Sequence, residues 1–279
     1  MAYDFDFAVA GGGPAGTSAA ISLAQRGRSV VLFERDTFPR FHIGESLLST
    51  ANDAFAVLGV SDRMATACFP EKWGARLFTH DGLSGRGVDF STVTEVMRPQ
   101  TYQVPRADFD RILLERAREV GVDVREGHRV TACEFTRDEV TVDFTSVDGA
   151  GGRARVRALV DGTGRQGLIA KKYNLRTDEP RLANIAIFSH YSGVPPLDGE
   201  RPNDIRIVAR SDSGWFWLIP ISKELMSVGV VLPKSLFLQM PEGSNEERLA
   251  RAIADTPIVA TLMRDAHREW PVRVEKDFS

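Results

Sequence analysis

Apolar and polar positions along the chain change period several times. Phe5–Ala10 is a short apolar run ending at Gly11, and Val30–Glu34 is another; both have the length and flanks of strands in a buried parallel sheet. Between them, Pro14–Arg26 predicts a helix closed by Gly27, so the first 34 residues read as a β-α-β unit. Ile43–Leu58 predicts a second helix, stopped by Gly59. A third is predicted over Ala107–Val120, where Phe109, Ile112, Leu113 and Ala117 fall at helical spacing ahead of Gly121. Three strand-like runs follow at Gly127–Phe135, Glu139–Thr145 and Ala154–Asp161, the last two joined by a glycine-rich turn at Asp148–Gly152; together they predict a β-meander. Asn184–Tyr191, Asp204–Arg210, Trp215–Ile221 and Met226–Leu232 predict an antiparallel sheet, and Ser244 with Glu247 is a capping box that opens a late helix. The fold class expected is α/β with α+β character: a Rossmann-like dinucleotide-binding fold with a β-meander and an inserted antiparallel-sheet domain. The pattern changes near residue 175. It predicts a discontinuous layout, with residues 1–72 and 100–174 in the dinucleotide domain and residues 73–99 and 175–279 in a substrate-side sheet domain.

Composition narrows the class. A chain of 279 residues with 43% hydrophobic and 26% charged positions can bury a large core, which excludes disorder as a description of the whole. The net charge of −3, from 35 basic and 38 acidic residues, gives no electrostatic reason to expect nucleic acid or an anionic membrane as partner. No apolar run approaches the roughly 20 residues that span a bilayer, and Met-Ala-Tyr-Asp-Phe-Asp lacks the basic start of a signal peptide. With Cys68 and Cys133 as the only cysteines, neither a disulfide framework nor a zinc site is expected. His42, His80, His128, His190 and His267 show no ligand spacing, so they are expected to be packing or surface residues, with no metal. A cytoplasmic enzyme is the expectation.

Candidate chemistry begins at Gly11-Gly12-Gly13-Pro14-Ala15-Gly16, which satisfies G-x-G-x-x-G between a strand and a helix. Gly11 permits the tight turn, Gly13 lets a pyrophosphate approach the backbone, and Gly16 lets helix and sheet pack closely. Pro14 and Ala15 open the helix whose free N–H groups face the phosphates. Glu34 ends the second strand eighteen residues past Gly16, where an acidic side chain accepts ribose hydroxyls. A dinucleotide is expected here, and the loop alone leaves FAD and NAD both open.

Resemblance separates them. Glu34-Arg35-Asp36-Thr37-Phe38-Pro39-Arg40-Phe41-His42-Ile43-Gly44-Glu45-Ser46 resembles the segment that follows the second strand in the superfamily of flavin-dependent halogenases and geranylgeranyl reductases. Arg106 in Val104-Pro105-Arg106-Ala107-Asp108-Phe109-Asp110 resembles a flavin-contacting arginine of related monooxygenases, and Ala158–Arg165, with Asp161-Gly162 at its turn, resembles a second FAD fingerprint. The resemblance implies FAD as cofactor, held by Arg35, Arg40, Gly44, Glu45, Ser46, Arg106, Val130 and Asp161 in addition to the glycine loop and Glu34.

Two further segments resemble the halogenases themselves. Gly214-Trp215-Phe216-Trp217-Leu218-Ile219-Pro220 matches their W-x-W-x-I-P motif; on a strand, Trp215 and Trp217 share a face and make an apolar wall. Phe69-Pro70-Glu71-Lys72-Trp73-Gly74-Ala75-Arg76-Leu77-Phe78 is similar to the lysine segment of halogenases acting on phenols and pyrroles, although Arg76 stands where a small hydroxyl residue is usual. The resemblance implies that FADH₂ from a separate flavin reductase, with O₂, oxidises chloride or bromide. Hypohalous acid then passes Trp215 and Trp217 to Lys72, and a small electron-rich aromatic, a phenol or pyrrole free or on a carrier protein, is substituted. Lys72 could act as a hydrogen-bonding ammonium or as an amine that is itself halogenated. An FAD-dependent monooxygenase or geranylgeranyl-type reductase is the alternative within the superfamily. The family continues into a Gly-Asp-Ala flavin fingerprint and a halide loop that this sequence lacks, so the chain reads as a fragment of a longer enzyme, in which case it could also be inactive on its own.

Overall fold

The computed structural model describes residues 3–93, 98–177 and 179–276. The chain forms two compact units. The first comprises Met1–Ile43, Asp53–Ala67 and Arg106–Arg176; the second comprises Gly44–Asn52, Cys68–Pro105 and Thr177–Ser279.

The first unit is built on a six-stranded sheet in the order Asp123–Glu126, Val30–Glu34, Phe5–Ala10, Gly151–Asp161, Val140–Ser146, His128–Phe135. The strands of the β-α-β unit are parallel, as their apolar runs require, and the last three form the antiparallel meander. Phe5–Ala10 also pairs parallel with Gly151–Asp161, which places the Asp161-Gly162 turn beside the glycine loop. Ala8, Val31, Phe33, Val142 and Val156 fill one face of the sheet, and the Phe33 and Phe144 rings stack with centroids 4.5 Å apart. Helices Pro14–Ala24 and Arg106–Glu119 pack together, and Phe109 meets Phe55 edge to face. The edge strand Asp123–Glu126 has no apolar signal of its own and was not expected from the pattern.

The second unit holds an eight-stranded sheet. Its order is His267–Arg268, Asn184–Ser192, Met226–Pro233, Trp215–Pro220, Ile205–Ala209, Gly74–Phe78, Gly85–Asp89, with Arg273–Lys276 also paired to Asn184–Ser192. The period of two sorts its faces. Ile187, Val208, Phe216, Leu218, Val228 and Val230 pack under Leu249 and Val259 of the helices Asn245–Ala254 and Pro257–Leu262. The capping box at Ser244 and Glu247 is formed.

Two expectations are corrected. Ile43–Leu58 is helical only from Ala51. Ahead of it the backbone is extended: Ser46 bridges Gln103, Leu47 N–H donates to Tyr102 O at 3.1 Å, and Val104 N–H donates to Glu45 O at 2.7 Å. Cross-strand bonds satisfy these groups, which a helix would have had to satisfy locally. The same pairing moves the boundary. Gly44–Asn52, Cys68–Lys72 and the stretch from Gln100 to Pro105 belong to the second unit, because Glu71–Lys72 pairs with Thr101–Tyr102 and Ser46 pairs with Gln103.

Candidate functional site

In the first unit the strand ends open a cleft lined by Gly11, Gly13, Pro14, Ala15, Glu34, Arg35, Arg40, Arg106, Val130 and the loop after Asp161. Close backbone approach explains the glycines. A Cβ on Gly16 would stand 1.9 Å from Gly11 O, and one on Gly162 would stand 2.8 Å from Gly16 Cα. Gly13 is different: a Cβ there would meet only Arg40 Nη2, at 3.6 Å, so this glycine keeps open space in front of the helix. No side chain caps that helix and its first turn carries no acidic residue, which leaves its N–H groups available to an anion.

Charges in the cleft are fixed from behind. Asp110 is fully buried and receives Arg106 Nε at 2.8 Å and Arg106 Nη2 at 2.9 Å, while Arg40 Nη1 lies 3.1 Å from the same carboxylate. Arg106 Nη1 also donates to Ile43 O at 2.7 Å. Glu34 accepts from Gly12 N–H at 2.6 Å and Asp36 N–H at 2.9 Å, so its carboxylate ties the glycine loop to the end of the second strand. Two arginines, an uncapped helix start and an open Gly13 suit a diphosphate, and Glu34 beside them suits a ribose. The donor set fits FAD.

Not every residue expected at the cofactor lines this cleft. Gly16 serves packing. Asp161 turns onto its own loop, accepting from Thr163 N–H at 3.1 Å and Ile169 N–H at 2.7 Å, while Gly162, Thr163 and Gly164 face the cleft instead. Gly44, Glu45 and Ser46 are in the second unit, where Glu45 is buried and accepts a 2.8 Å bond from His190 Nε2. His190 is buried, and its ring is tilted against Trp270 with centroids 5.3 Å apart.

Lys72 lies in the second unit on the two-residue strand Glu71–Lys72. Glu71 faces solvent and Lys72 is 3% exposed, the only buried lysine among the described residues. Its Nζ donates to Ser46 Oγ at 2.9 Å and Leu47 O at 2.8 Å, and sits 5.1 Å from the Phe90 ring centroid. Burial pushes the ammonium down to about 8, against the pull of the Asp204 carboxylate. Asp204 is itself buried, accepting from Trp73 N–H at 2.8 Å and pairing with Arg76 at 3.4 Å. Trp215 and Trp217 share a face, centroids 6.0 Å apart. Trp215 is 39% exposed; Trp217 is buried and donates its indole N–H to Ser227 Oγ at 3.1 Å. Gly229 opposite makes room, since a Cβ there would lie 2.3 Å from the Trp217 ring.

Asp110, Leu47, Phe90 and Asp204 escaped the sequence reading. Only Asp110 carried a signal, its i, i+4 spacing from Arg106 on a helix. Among the described residues no three His, Cys, Asp or Glu side chains could hold a metal ion, and no helix is long and apolar enough to cross a membrane.

A cleft of this build defines a dinucleotide-binding protein, and the chain belongs to the FAD binding domain family, which matches residues 4–263. Its relatives are more specific. It is 30% identical over 295 residues to a flavin-dependent halogenase of Metacordyceps chlamydosporia, covering 97% of this chain and 55% of that protein. It is 28% identical over 299 residues to the 1H-pyrrole-2-carbonyl-(peptidyl-carrier protein) chlorinase of Pseudomonas fluorescens, covering 99% and 66%. The solved myxobacterial chondrochloren halogenase superposes with a TM-score of 0.87 at 33% identity, over 99% of this chain and 64% of that one. The chain spans about half the length of the curated relatives it matches.

Proposed function

We propose that this chain carries the FAD-binding cleft and the reactive lysine of a flavin-dependent halogenase that substitutes an electron-rich aromatic, a phenol or a carrier-bound pyrrole. Bound reduced FAD, delivered by a separate flavin reductase, supplies with O₂ the oxidant that converts chloride or bromide to hypohalous acid. The chain's residues do the rest. The glycine loop, Arg40 and Arg106 hold the diphosphate, and Glu34 takes the ribose. Trp215 and Trp217 form one aromatic face, with Trp215 the more exposed ring. Lys72 directs the halogen. As an ammonium it donates a hydrogen bond to the hypohalous oxygen; as a neutral amine it takes the halogen onto nitrogen, with the displaced hydroxide leaving as water. Either way the aromatic carbon gains the halogen and loses its proton.

The observation that carries this reading is Lys72, a buried amine poised near pH 8 on a chain that also holds an FAD cleft. The test supplies the protein with FAD, a flavin reductase, NADH, O₂, chloride or bromide, and phenol or pyrrole probes, and reads products by mass. Halogenated product from the wild type and none from Lys72→Ala, with equal FAD binding, is the expected result. Hydroxylated product with no halide dependence would establish a monooxygenase instead, and wild-type product from Lys72→Ala would remove the lysine from the chemistry.

A further inference from the structure

Ser46 stands in a segment whose resemblance points to the cofactor, yet its hydroxyl is bonded to Lys72. Nζ has three substituent directions beyond Cε. Ser46 Oγ takes one at 2.9 Å and Leu47 O takes a second at 2.8 Å. Both acceptors come from one extended stretch, Gly44–Leu48, and that stretch is pinned at several points. Glu45 is bonded to His190 across 145 residues of sequence, its carbonyl accepts from Val104 N–H, Ser46 bridges Gln103, and Leu47 N–H donates to Tyr102 O. The seat is therefore rigid on the acceptor side. Phe90 packs against Nζ from the loop after Gly85–Asp89, and among the described residues Asp204 is the carboxylate whose field reaches it. Arg76 is held by Asp204, and Glu71 points to the opposite side.

We propose that Ser46 is a positioning residue for Lys72: its hydroxyl, with the Leu47 carbonyl, fixes two directions at Nζ and leaves one for the amine's reaction partner. That remaining direction is an N–H in the charged form and the lone pair in the neutral form, so one seat serves both chemistries open to Lys72. The inference rests on Lys72 being the reacting group, but the geometry it claims can be measured without turnover.

The experiment labels lysine with ¹³C at Cε in the full chain. With six lysines in the sequence, the Lys72 signal is assigned by its disappearance in Lys72→Arg. The wild type, Ser46→Ala and Ser46→Thr are titrated from neutral to alkaline pH. Ser46 accepts a bond that the ammonium donates more strongly than the amine does. Ser46→Ala should therefore lower the Lys72 midpoint by about one pH unit, and Ser46→Thr, which keeps a hydroxyl, should restore it. Should Ser46→Ala not fold, Ser46→Cys replaces the oxygen with a weaker acceptor and should shift the midpoint the same way. A midpoint unchanged in folded Ser46→Ala or Ser46→Cys overturns the positioning role whatever the activity. A shifted midpoint alongside full halogenation by Lys72→Arg supports the seat and instead overturns the catalytic reading of Lys72.

Discussion

The two candidate sites of this chain are made in opposite ways. The cleft of the first unit is made largely of backbone: glycines that let chain segments touch, an uncapped helix start, and carboxylates that bond backbone N–H groups or hold arginines. The lysine seat of the second unit is made of side chains and one irregular strand, collected from around residues 46, 72, 90, 190 and 204. The first presents positive charge that is compensated behind it. The second holds a cation that burial disfavours and that, among the described residues, no carboxylate contacts directly. A binding site can be stable and open at once, because its ligand supplies the missing anion. A reactive amine has to be kept at a cost.

The sharpest way to break the comparison is to fill the backbone cradle. Gly13 has φ −74°, a value any residue adopts, and a Cβ there meets nothing closer than Arg40 at 3.6 Å. Gly13→Val should fold with a stability loss below about 1 kcal/mol while FAD binding falls beyond detection, because only the pyrophosphate needs that space. Calorimetric titration with FAD checks it, and near-wild-type affinity would mean that the cofactor does not approach this loop.

Next in size is Asp110→Ala. It leaves Arg40 and Arg106 without the buried carboxylate that holds them, and removing one partner of a buried pair costs about 3–5 kcal/mol. Urea unfolding should show that loss in the protein without FAD. Bound FAD should recover part of it, since its diphosphate meets the same guanidinium groups. A destabilisation that FAD does not reduce would place the two arginines in the fold alone.

This contrast also explains what could be read from the sequence. Gly11, Gly13 and Gly16 lie in one strand-to-helix turn, so their spacing along the chain is their spacing in space, and Glu34 follows at the end of the next strand of the same β-α-β unit. The meander is visible because a period of two records which face is buried, and the strand carrying Trp215 and Trp217, buried on both faces from Phe216 onward, is visible as a continuous apolar run. Lys72 was visible only through its family segment; nothing in Glu71-Lys72-Trp73 distinguishes it from a surface lysine. The family segment puts Ser46 and Glu45 with the cofactor because it follows the second strand, whereas Ser46, bridged to Gln103, bonds Lys72 and Glu45 bonds His190. The helix expected from Ile43 failed for the same reason. Hydrogen bonds to residues more than fifty positions away leave no periodic trace.

The smallest effect expected is the most diagnostic of the second site. A buried lysine driven down to about 8 from an ordinary 10.5 destabilises the fold wherever the unfolded chain would be charged. Below pH 8 both states hold the proton and the folded state bears the full cost, about 3 kcal/mol by conversion of the two values. Between pH 8 and 10.5 the unfolded chain still binds a proton that the folded chain has released, so stability from this group rises with pH and the cost fades. Lys72→Met keeps the apolar stem and removes the charge, but leaves Ser46 Oγ and Leu47 O without their donor, which takes back about 1 kcal/mol. The variant should therefore be more stable than the wild type by about 2 kcal/mol at pH 7, with the advantage shrinking steadily as pH approaches 10.5. Other titrating groups are common to both proteins and cancel in the difference. Paired urea unfolding curves at intervals across that window read it directly. A difference that does not change with pH would mean that Lys72 keeps an ordinary ammonium in the folded chain, and the seat would then stabilise a buried charge rather than hold a poised amine.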